Sequence, residues 1–200
     1  PETTRNVYAT LKAMLNAAVS EEVLIKSPCP ARAKLPAKRK QEPKALSKDQ
    51  LTAVLSHCEG QDLALLTLLA SAGLRPCEAR PLFWKDLDVV TGQLSVTKSA
   101  DTHTDVVSTP KTDLSFRRVT LPASTLELLQ SLLRDSELMF HNGFGDIVRH
   151  SALDWLFKQA AKKAAISGFS VYCLRHTHIT QLLLEGTPVT VVADRVGDKP

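Results

Sequence analysis

The sequence predicts an α+β fold that is mainly helical and contains a small antiparallel sheet. Apolar residues recur at helical spacing towards both ends of the chain, and short runs with strand-like alternation lie between them, around residues 87–121. The chain has 200 residues, of which 44% are hydrophobic and 23% charged. This is enough for one substantial core and part of another domain. No apolar run approaches the length that a membrane span needs.

The first predicted element is a helix. Val7, Leu11, Met14 and Ala18 recur at helical spacing, and the pattern ends before the prolines of Ser27–Pro30. We expect this helix to be the tail of a helical domain that lies mostly outside the sequence.

A basic segment follows the helix. It carries six cations opposed only by Glu42, and Pro36 and Pro43 interrupt it. The cations are Arg32, Lys34, Lys38, Arg39, Lys40 and Lys44. Two interpretations stay open: a solvated hinge, or a strand that crosses the DNA backbone if the flanking domains also bind DNA.

A second domain is expected to begin near Leu46. Ser47 and Gln50 predict a capping box at the start of a helix. Residues 62–72 are apolar nearly all round, which predicts a central buried helix that Gly73 ends. The later patterns predict a hairpin at 87–90 and 94–97, strands at 105–108 and 116–121, and helices around 126–133, 153–160 and 179–183.

Charge and cysteine content constrain function only mildly. A net charge of +4 indicates an acidic partner weakly, because many enzymes share it. The four cysteines form no Cys-x-x-Cys pair, so we expect reduced thiols in a cytosolic protein. His176 and His178 point to different faces of a predicted helix, so no metal site is expected.

Two arginines stand at predicted element boundaries, far apart in sequence. Arg75 follows the helix that ends at Gly73, with Glu78 three residues further on, and Arg175 lies in Tyr172–Thr177. Planar guanidinium groups make paired hydrogen bonds to phosphate oxygens, so two of them can clamp one phosphate without a metal. The alternative for Arg75 is a cation that satisfies carbonyls at a helix end.

Three ordered motifs, taken together, resemble those of the tyrosine recombinases of the phage integrase type. They are Ala72–Glu78, then Pro110–Thr112 with Ser115, Arg117, Arg118, Leu121 and Pro122, then Leu174–His178. In addition, Arg195–Asp198 resembles the Leu-Gly-His turn of that family, and Leu24–Pro30 resembles the end of its helical core-binding domain. The resemblance implies three regions: the end of a core-binding domain at 1–31, a basic linker at 32–45, and a catalytic domain at 46–200 that stops before the nucleophile.

The resemblance also implies roles for individual residues. Arg75 and Arg175 would hold the scissile phosphate and stabilise its pentacoordinate transition state. Lys111, on a hairpin, would protonate the departing 5′ oxygen, although most lysines at turns are simply solvated. Glu78 would orient groups of the active site.

Two positions depart from the pattern of the family. Tyr172 stands where a histidine is usual, and a phenol can donate a hydrogen bond but is a poor base at neutral pH. Asp198 stands where a histidine or tryptophan usually follows the glycine, and a carboxylate would repel phosphate unless it were protonated or turned away.

The nucleophilic tyrosine of the family would lie roughly ten residues beyond the glycine turn, past Pro200. Tyr8 and Tyr172 are the two tyrosines of the sequence, and neither matches that position. We therefore expect that this polypeptide does not form the covalent 3′-phosphotyrosine link by itself.

The resemblance thus predicts a site-specific DNA integrase that breaks and rejoins strands by transesterification, with no cofactor or metal. Its partner would be double-stranded DNA, bound as a homotetramer by the full-length protein in the bacterial cytoplasm at the nucleoid, with no membrane and no small-molecule substrate. DNA-binding residues would include Arg32, Lys38, Arg39, Lys40, Arg117 and Arg118. Two alternatives remain: a degenerate relative that only binds DNA, and an enzyme of the type IB topoisomerase kind.

Overall fold

The computed structural model describes residues 2–30, 33–37, 44–109, 116–132 and 134–198. The chain divides into two compact units, residues 1–42 and 43–200. The finer division into 1–31, 32–45 and 46–200 stays a prediction.

The first unit contains one long helix, α1 (Glu2–Ser20). The chain after it returns along the helix: Tyr8 Oη donates to the Pro30 carbonyl at 3.1 Å, and Arg5 Nε donates to the Pro36 carbonyl at 2.8 Å. Within α1, all of which the structure describes, no residue is buried.

The second unit carries a short 3-10 helix (Trp84–Asp86) and seven α-helices among its described residues. The α-helices are α2 (Lys48–Leu55), α3 (Gly60–Ala72), α4 (Pro76–Ala79), α5 (Ala123–Gln130), α6 (His150–Lys163), α7 (Cys173–Leu184) and α8 (Val189–Val196). The capping box predicted at the start of α2 is confirmed. Ser47 Oγ accepts from the Gln50 backbone N–H at 3.1 Å, and Gln50 Oε1 accepts from the Ser47 N–H at 3.0 Å.

Helix α3 forms the centre of the core, as its all-round apolar sequence predicts. Leu65, Leu66, Leu68 and Leu69 are each at most 1% exposed, and α3 packs against α5 and α7. It ends at Gly73, whose φ of 65° lies in the left-handed region that glycine adopts without a steric cost. The residues that follow Gly73 are therefore held by a rigid, buried element.

The strands among the described residues are short and form two sheets. They are β1 (Leu87–Asp88), β2 (Gln93–Val96), β3 (Ser99–Ala100), β4 (Val107–Ser108) and β5 (Arg117–Thr120). A three-stranded antiparallel sheet has the order β1-β2-β5, with Leu94 opposite Val119. A separate two-stranded ribbon pairs β3 with β4. The predicted hairpin is confirmed with shorter strands; the sequence pattern did not indicate β3, because two residues are too few to show a period of two.

A buried hydrogen bond ties the beginning of the second unit to α7. The Leu46 backbone N–H donates to Thr177 Oγ1 at 2.8 Å, and that hydroxyl donates to the Cys173 carbonyl at 2.8 Å. Both Leu46 and Thr177 are buried. This contact fixes the first turn of α7, which carries the second arginine motif.

Candidate functional site

Arg75 lies in the short connection between α3 and α4. Pro76 occupies the first position of α4, where its fixed φ suits a helix start and its missing N–H is not needed. Glu78 accepts two hydrogen bonds from Arg75. Its Oε2 accepts from the Arg75 backbone N–H at 2.8 Å, and its Oε1 accepts from Arg75 Nη1 at 2.8 Å. The guanidinium is thereby oriented by its own helix, with 30% of the side chain exposed.

Glu78 is itself buried and is shared with Arg117 of β5. Arg117 Nη2 donates to Glu78 Oε2 at 2.8 Å, and Nη1 donates to Oε1 at 3.1 Å. Burial alone would raise the pKa of Glu78, but the hydrogen bonds from Arg117 and Arg75 outweigh it and lower the pKa. Arg117 Nε also donates to the Arg195 carbonyl at 3.0 Å, so this side chain, only 6% exposed, lies beneath the site. Direct DNA contact by Arg117 stays a prediction.

Arg175 lies in the first turn of α7 and is nearly buried. Its Nη1 donates to the Gly73 carbonyl at 2.8 Å and to the Val196 carbonyl at 2.9 Å. These two bonds leave the Nη2 edge facing the same region as Arg75. Burial lowers the pKa of Arg175 below its usual value, against the opposing hydrogen bond with Asp198.

The two arginines converge on one carboxylate, that of Asp198. Arg175 Nη2 donates to Asp198 Oδ2 at 2.6 Å, and Arg75 Nη2 donates to Asp198 Oδ1. Arg75 Nη2 also donates to the Gly197 carbonyl at 3.1 Å. Burial would lower the pKa of Arg75, but its contacts with Glu78 and Asp198 raise it. Two guanidinium groups that reach the two oxygens of one carboxylate can also reach two oxygens of one phosphate.

The Asp198 carboxylate is not turned away from the two arginines. From the sequence, this carboxylate is expected to repel an incoming phosphate unless it is protonated or turned away. In the structure the carboxylate faces the site and pairs with both arginines, because their positive charge attracts it.

Tyr172 immediately precedes α7 and is 38% exposed. Its ring lies 6.0 Å from the ring of His150, centroid to centroid, with a tilt of 55°. Burial raises the pKa of the Tyr172 phenol. The group is therefore a hydrogen-bond donor at neutral pH, as expected of a phenol from the sequence.

Two further residues, His178 and Arg195, pack next to the site and hydrogen-bond to each other. Neither of them was predicted from the sequence to stabilise the site. Arg195 Nε donates to His178 Nε2 at 3.1 Å, and Arg195 Nη2 donates to the Thr120 carbonyl at 3.0 Å. Burial lowers the pKa of His178 to about 4, with Arg195 adding to the effect. His178 is therefore neutral and accepts from Arg195. No sequence spacing marks this pair, because the two residues lie on different helices, α7 and α8.

Several predicted site residues lie outside the described residues: Lys111, Arg32, Lys38, Arg39 and Lys40. Arg118 is described and is exposed on β5, on the opposite face to Arg117. In the described parts of the chain, no group of three or more His, Cys, Asp or Glu residues could hold a metal ion. Of the helices in those parts, none has the length and apolar character to span a bilayer.

Known proteins with this fold include integrases solved on DNA. The Tn1549 transposon integrase in complex with a circular intermediate DNA matches with a TM-score of 0.82 and 18% identity, over 100% of this chain and 72% of that one. A lambda integrase dimer bound to a COC′ core site matches with a TM-score of 0.71 and 16% identity, over 97% of this chain and 71% of that one. The α+β, mainly helical fold predicted from the sequence is confirmed.

A family model described as the phage integrase family matches residues 44–199. The chain therefore belongs to the phage integrase family, and the resemblance drawn from the three motifs is confirmed. The ICEBs1 integrase of Bacillus subtilis (strain 168) is 29% identical over 214 residues, which cover 96% of this chain and 57% of that protein. The prophage integrase IntR of Escherichia coli (strain K12) is 28% identical over 184 residues, 78% of this chain and 44% of that protein. The chain spans about half the length of such relatives.

Proposed function

We propose that this chain is the phosphate-binding part of a site-specific DNA recombinase that cleaves and rejoins strands by transesterification through a 3′-phosphotyrosine intermediate. The observation that carries the proposal is the convergence of Arg75 and Arg175, 100 residues apart in sequence, on the single carboxylate of Asp198. An anion site made of two preorganised guanidinium groups suits a reaction in which negative charge develops on a phosphate.

The geometry supports distinct roles for the two arginines. Arg175 is fixed by two backbone carbonyls and presents one edge, whereas Arg75 is oriented by Glu78 and remains partly exposed. Together they would contact two non-bridging oxygens of the scissile phosphate. Tyr172 would donate a further hydrogen bond, and Lys111 would protonate the departing 5′ oxygen.

We propose double-stranded DNA as the partner, bound as a homotetramer by the whole protein in the bacterial cytoplasm at the nucleoid. Two of the relatives by fold are integrases in complex with DNA. Arg32, Lys38, Arg39, Lys40 and Arg118 would supply salt-dependent contacts to the phosphate backbone, each adding about one to the salt slope.

The test uses the whole protein and a DNA site selected by binding from a randomised duplex pool. A nicked version of that site traps a covalent protein–DNA adduct if strand cleavage occurs. We expect an adduct with the wild-type protein and, for Arg75→Ala, adduct formation on the order of a hundredfold slower. Arg149→Ala removes an equal charge from a side chain that is 78% exposed and should leave the rate unchanged. Binding of the selected duplex without any adduct would show that the recombinase assignment is wrong.

A second candidate, a relative that binds DNA without cleaving it, is favoured by Tyr172 and by the contacts of Asp198 with both arginines. The double variant Tyr172→His, Asp198→His discriminates between the two. A site that has lost its chemistry should gain little adduct formation from these changes, whereas an active site with two tolerated departures should gain measurably.

A further inference from the structure

The Asp198 carboxylate occupies the position in which the proposed function puts a phosphate. Each of its oxygens accepts a hydrogen bond from a different arginine, Oδ2 from Arg175 and Oδ1 from Arg75. Asp198 directly follows Gly197, which ends α8 with a φ of 71°. The turn after α8 therefore directs a negative charge into the anion site.

Neither arginine depends on Asp198 for its orientation. Arg75 keeps both of its contacts with Glu78 when the carboxylate leaves, and Arg175 keeps the carbonyls of Gly73 and Val196. An anion site with these fixed supports stays assembled without its internal anion. Asp198 is therefore not needed to build the site.

Asp198 itself is free to leave. Its side chain is 44% exposed, so the carboxylate can rotate into water at a modest cost in solvation. By contrast, the Glu78 carboxylate is 3% exposed and accepts four hydrogen bonds from Arg75 and Arg117. Of these two carboxylates around Arg75, Glu78 is a fixed part of the structure and Asp198 is displaceable.

We propose that Asp198 is an internal competitor of the DNA phosphate: it occupies the Arg75–Arg175 anion site in the free protein and is displaced when a phosphate binds. The identification of the displacing anion as a DNA phosphate rests on the proposed function. Because only the fraction of molecules with an open site binds, the observed affinity is the intrinsic affinity reduced by that fraction. The competition lowers the affinity for inorganic phosphate and for DNA by the same factor, so an anion needs additional contacts elsewhere on the protein to bind tightly.

The experiment compares Asp198→Asn with Asp194→Asn in the 200-residue chain. Both variants remove one negative charge near the end of α8, but the exposed Asp194 side chain makes no ion pair with any described residue. The probes are inorganic phosphate, titrated by calorimetry, and a random-sequence DNA duplex, titrated by fluorescence anisotropy. We expect Asp198→Asn to bind each probe about tenfold more tightly than Asp194→Asn does.

The outcomes separate this inference from the proposed function. Tighter phosphate binding by Asp198→Asn, with no duplex binding by any variant, supports the internal competitor and counts against DNA as the partner. Equal binding of both probes by the two variants, with duplex binding that Arg75→Ala abolishes, overturns the competitor and leaves the proposed function standing. Thermal melting checks that the variants fold; if Asp198→Asn is unfolded, Asp198→Ser is compared in its place and the same two outcomes decide.

Discussion

Arg75 and Arg80 flank the same four-residue helix, α4, and the structure uses them in opposite ways. Arg80 is 0% exposed, and its terminal nitrogens donate to the carbonyls of Ala100 at 2.9 Å and Asp101 at 2.8 Å as well as to the Asp105 carboxylate. Arg75 is 30% exposed and has the displaceable Asp198 as one of its partners. Two arginines at the two ends of one helical turn thus differ in whether their terminal nitrogens contact only fixed groups of the fold or also a displaceable carboxylate.

This difference gives a criterion for separating structural from functional arginines. A guanidinium whose donors are satisfied by buried backbone carbonyls cannot bind a ligand without breaking the fold. One that is fixed on one edge and faces an exposed carboxylate on the other can exchange partners. Arg175 combines both kinds of contact, because its Nη1 donates to backbone carbonyls and its Nη2 donates to the exposed carboxylate of Asp198.

The largest effect expected from this comparison is on stability. Arg80→Ala removes a fully buried cation together with its bonds to the buried Ala100 carbonyl and to the Asp101 carbonyl and Asp105 carboxylate, and should lower the free energy of unfolding by about 4 kcal/mol. Urea unfolding followed by circular dichroism measures it. Arg149→Ala is the control, because Arg149 also faces Asp105, at 4.0 Å, but is exposed. Similar losses for both variants would mean that burial of Arg80 does not set its role.

A third arginine, Arg195, donates to the neutral His178, and this contact leads to a prediction for how stability depends on pH. The pKa of His178 is about 4 in the folded protein and about 6.5 when unfolded. Between about pH 4 and pH 6.5 the imidazole of His178 is protonated in the unfolded chain but neutral in the folded protein. The free energy of unfolding is therefore highest above about pH 6.5 and should fall by about 3 kcal/mol as the pH drops to about 4. Unfolding measured across this range tests it. His178→Gln should reduce this slope and His57→Gln, at an exposed position, should not; an unchanged slope in His178→Gln would contradict the prediction.

The backbone that carries Arg75 can be perturbed without touching Arg80. A Cβ at Gly73 would collide with the imidazole of His178, and φ there is +65°. Gly73→Ala should therefore cost about 2 kcal/mol of stability and weaken phosphate binding. Gly60→Ala is the matched control, since φ is +53° but nothing lies within 4 Å. An equal cost at both glycines would show that only the backbone angle matters, not the contact with His178.

The smallest expected effect on stability is that of Arg75→Ala. Its side chain is partly exposed and Glu78 keeps its two bonds with Arg117, so the loss should stay below about 1 kcal/mol. Phosphate binding measured by calorimetry should nevertheless disappear. A loss of stability as large as that of Arg80→Ala would break the distinction between the two arginines.

The sequence predicted the parts of the site that have a local signal. A glycine at the end of an apolar helix pointed to Arg75, and the segment Tyr172–Thr177, just before the helical pattern at 179–183, pointed to Arg175. Glu78 was expected to orient the site, and the structure shows it bound to Arg75; that it acts through this contact in the reaction stays a prediction.

The remaining parts depend on tertiary contacts that leave no local pattern. Arg80 follows a short helix like any solvated arginine, and only the carbonyls of the distant β3 region make it structural. Arg117 shares the face of Val119 on β5 and of Leu121 just after it, so the period of two indicates that it faces inward, but its contacts with Glu78 and the Arg195 carbonyl depend on tertiary packing. The pairing of Asp198 with both arginines also depends on tertiary packing, which brings Arg75 and Arg175 to the two oxygens of one carboxylate.

The carbonyl contacts of Arg175 have an electrostatic consequence for the site. As a cation in the first turn of α7, Arg175 lies at the positive end of that helix dipole, which is unfavourable. Its Nη1, however, donates to Gly73 at the carboxyl end of α3 and to Val196 at the carboxyl end of α8. These two negative helix ends offset the field of α7. Three helix dipoles therefore contribute to the local potential at Arg175, alongside the charges of Asp198, Arg75 and Glu78, and a shift of α3 or α8 by a fraction of a turn would change how strongly the site attracts an anion.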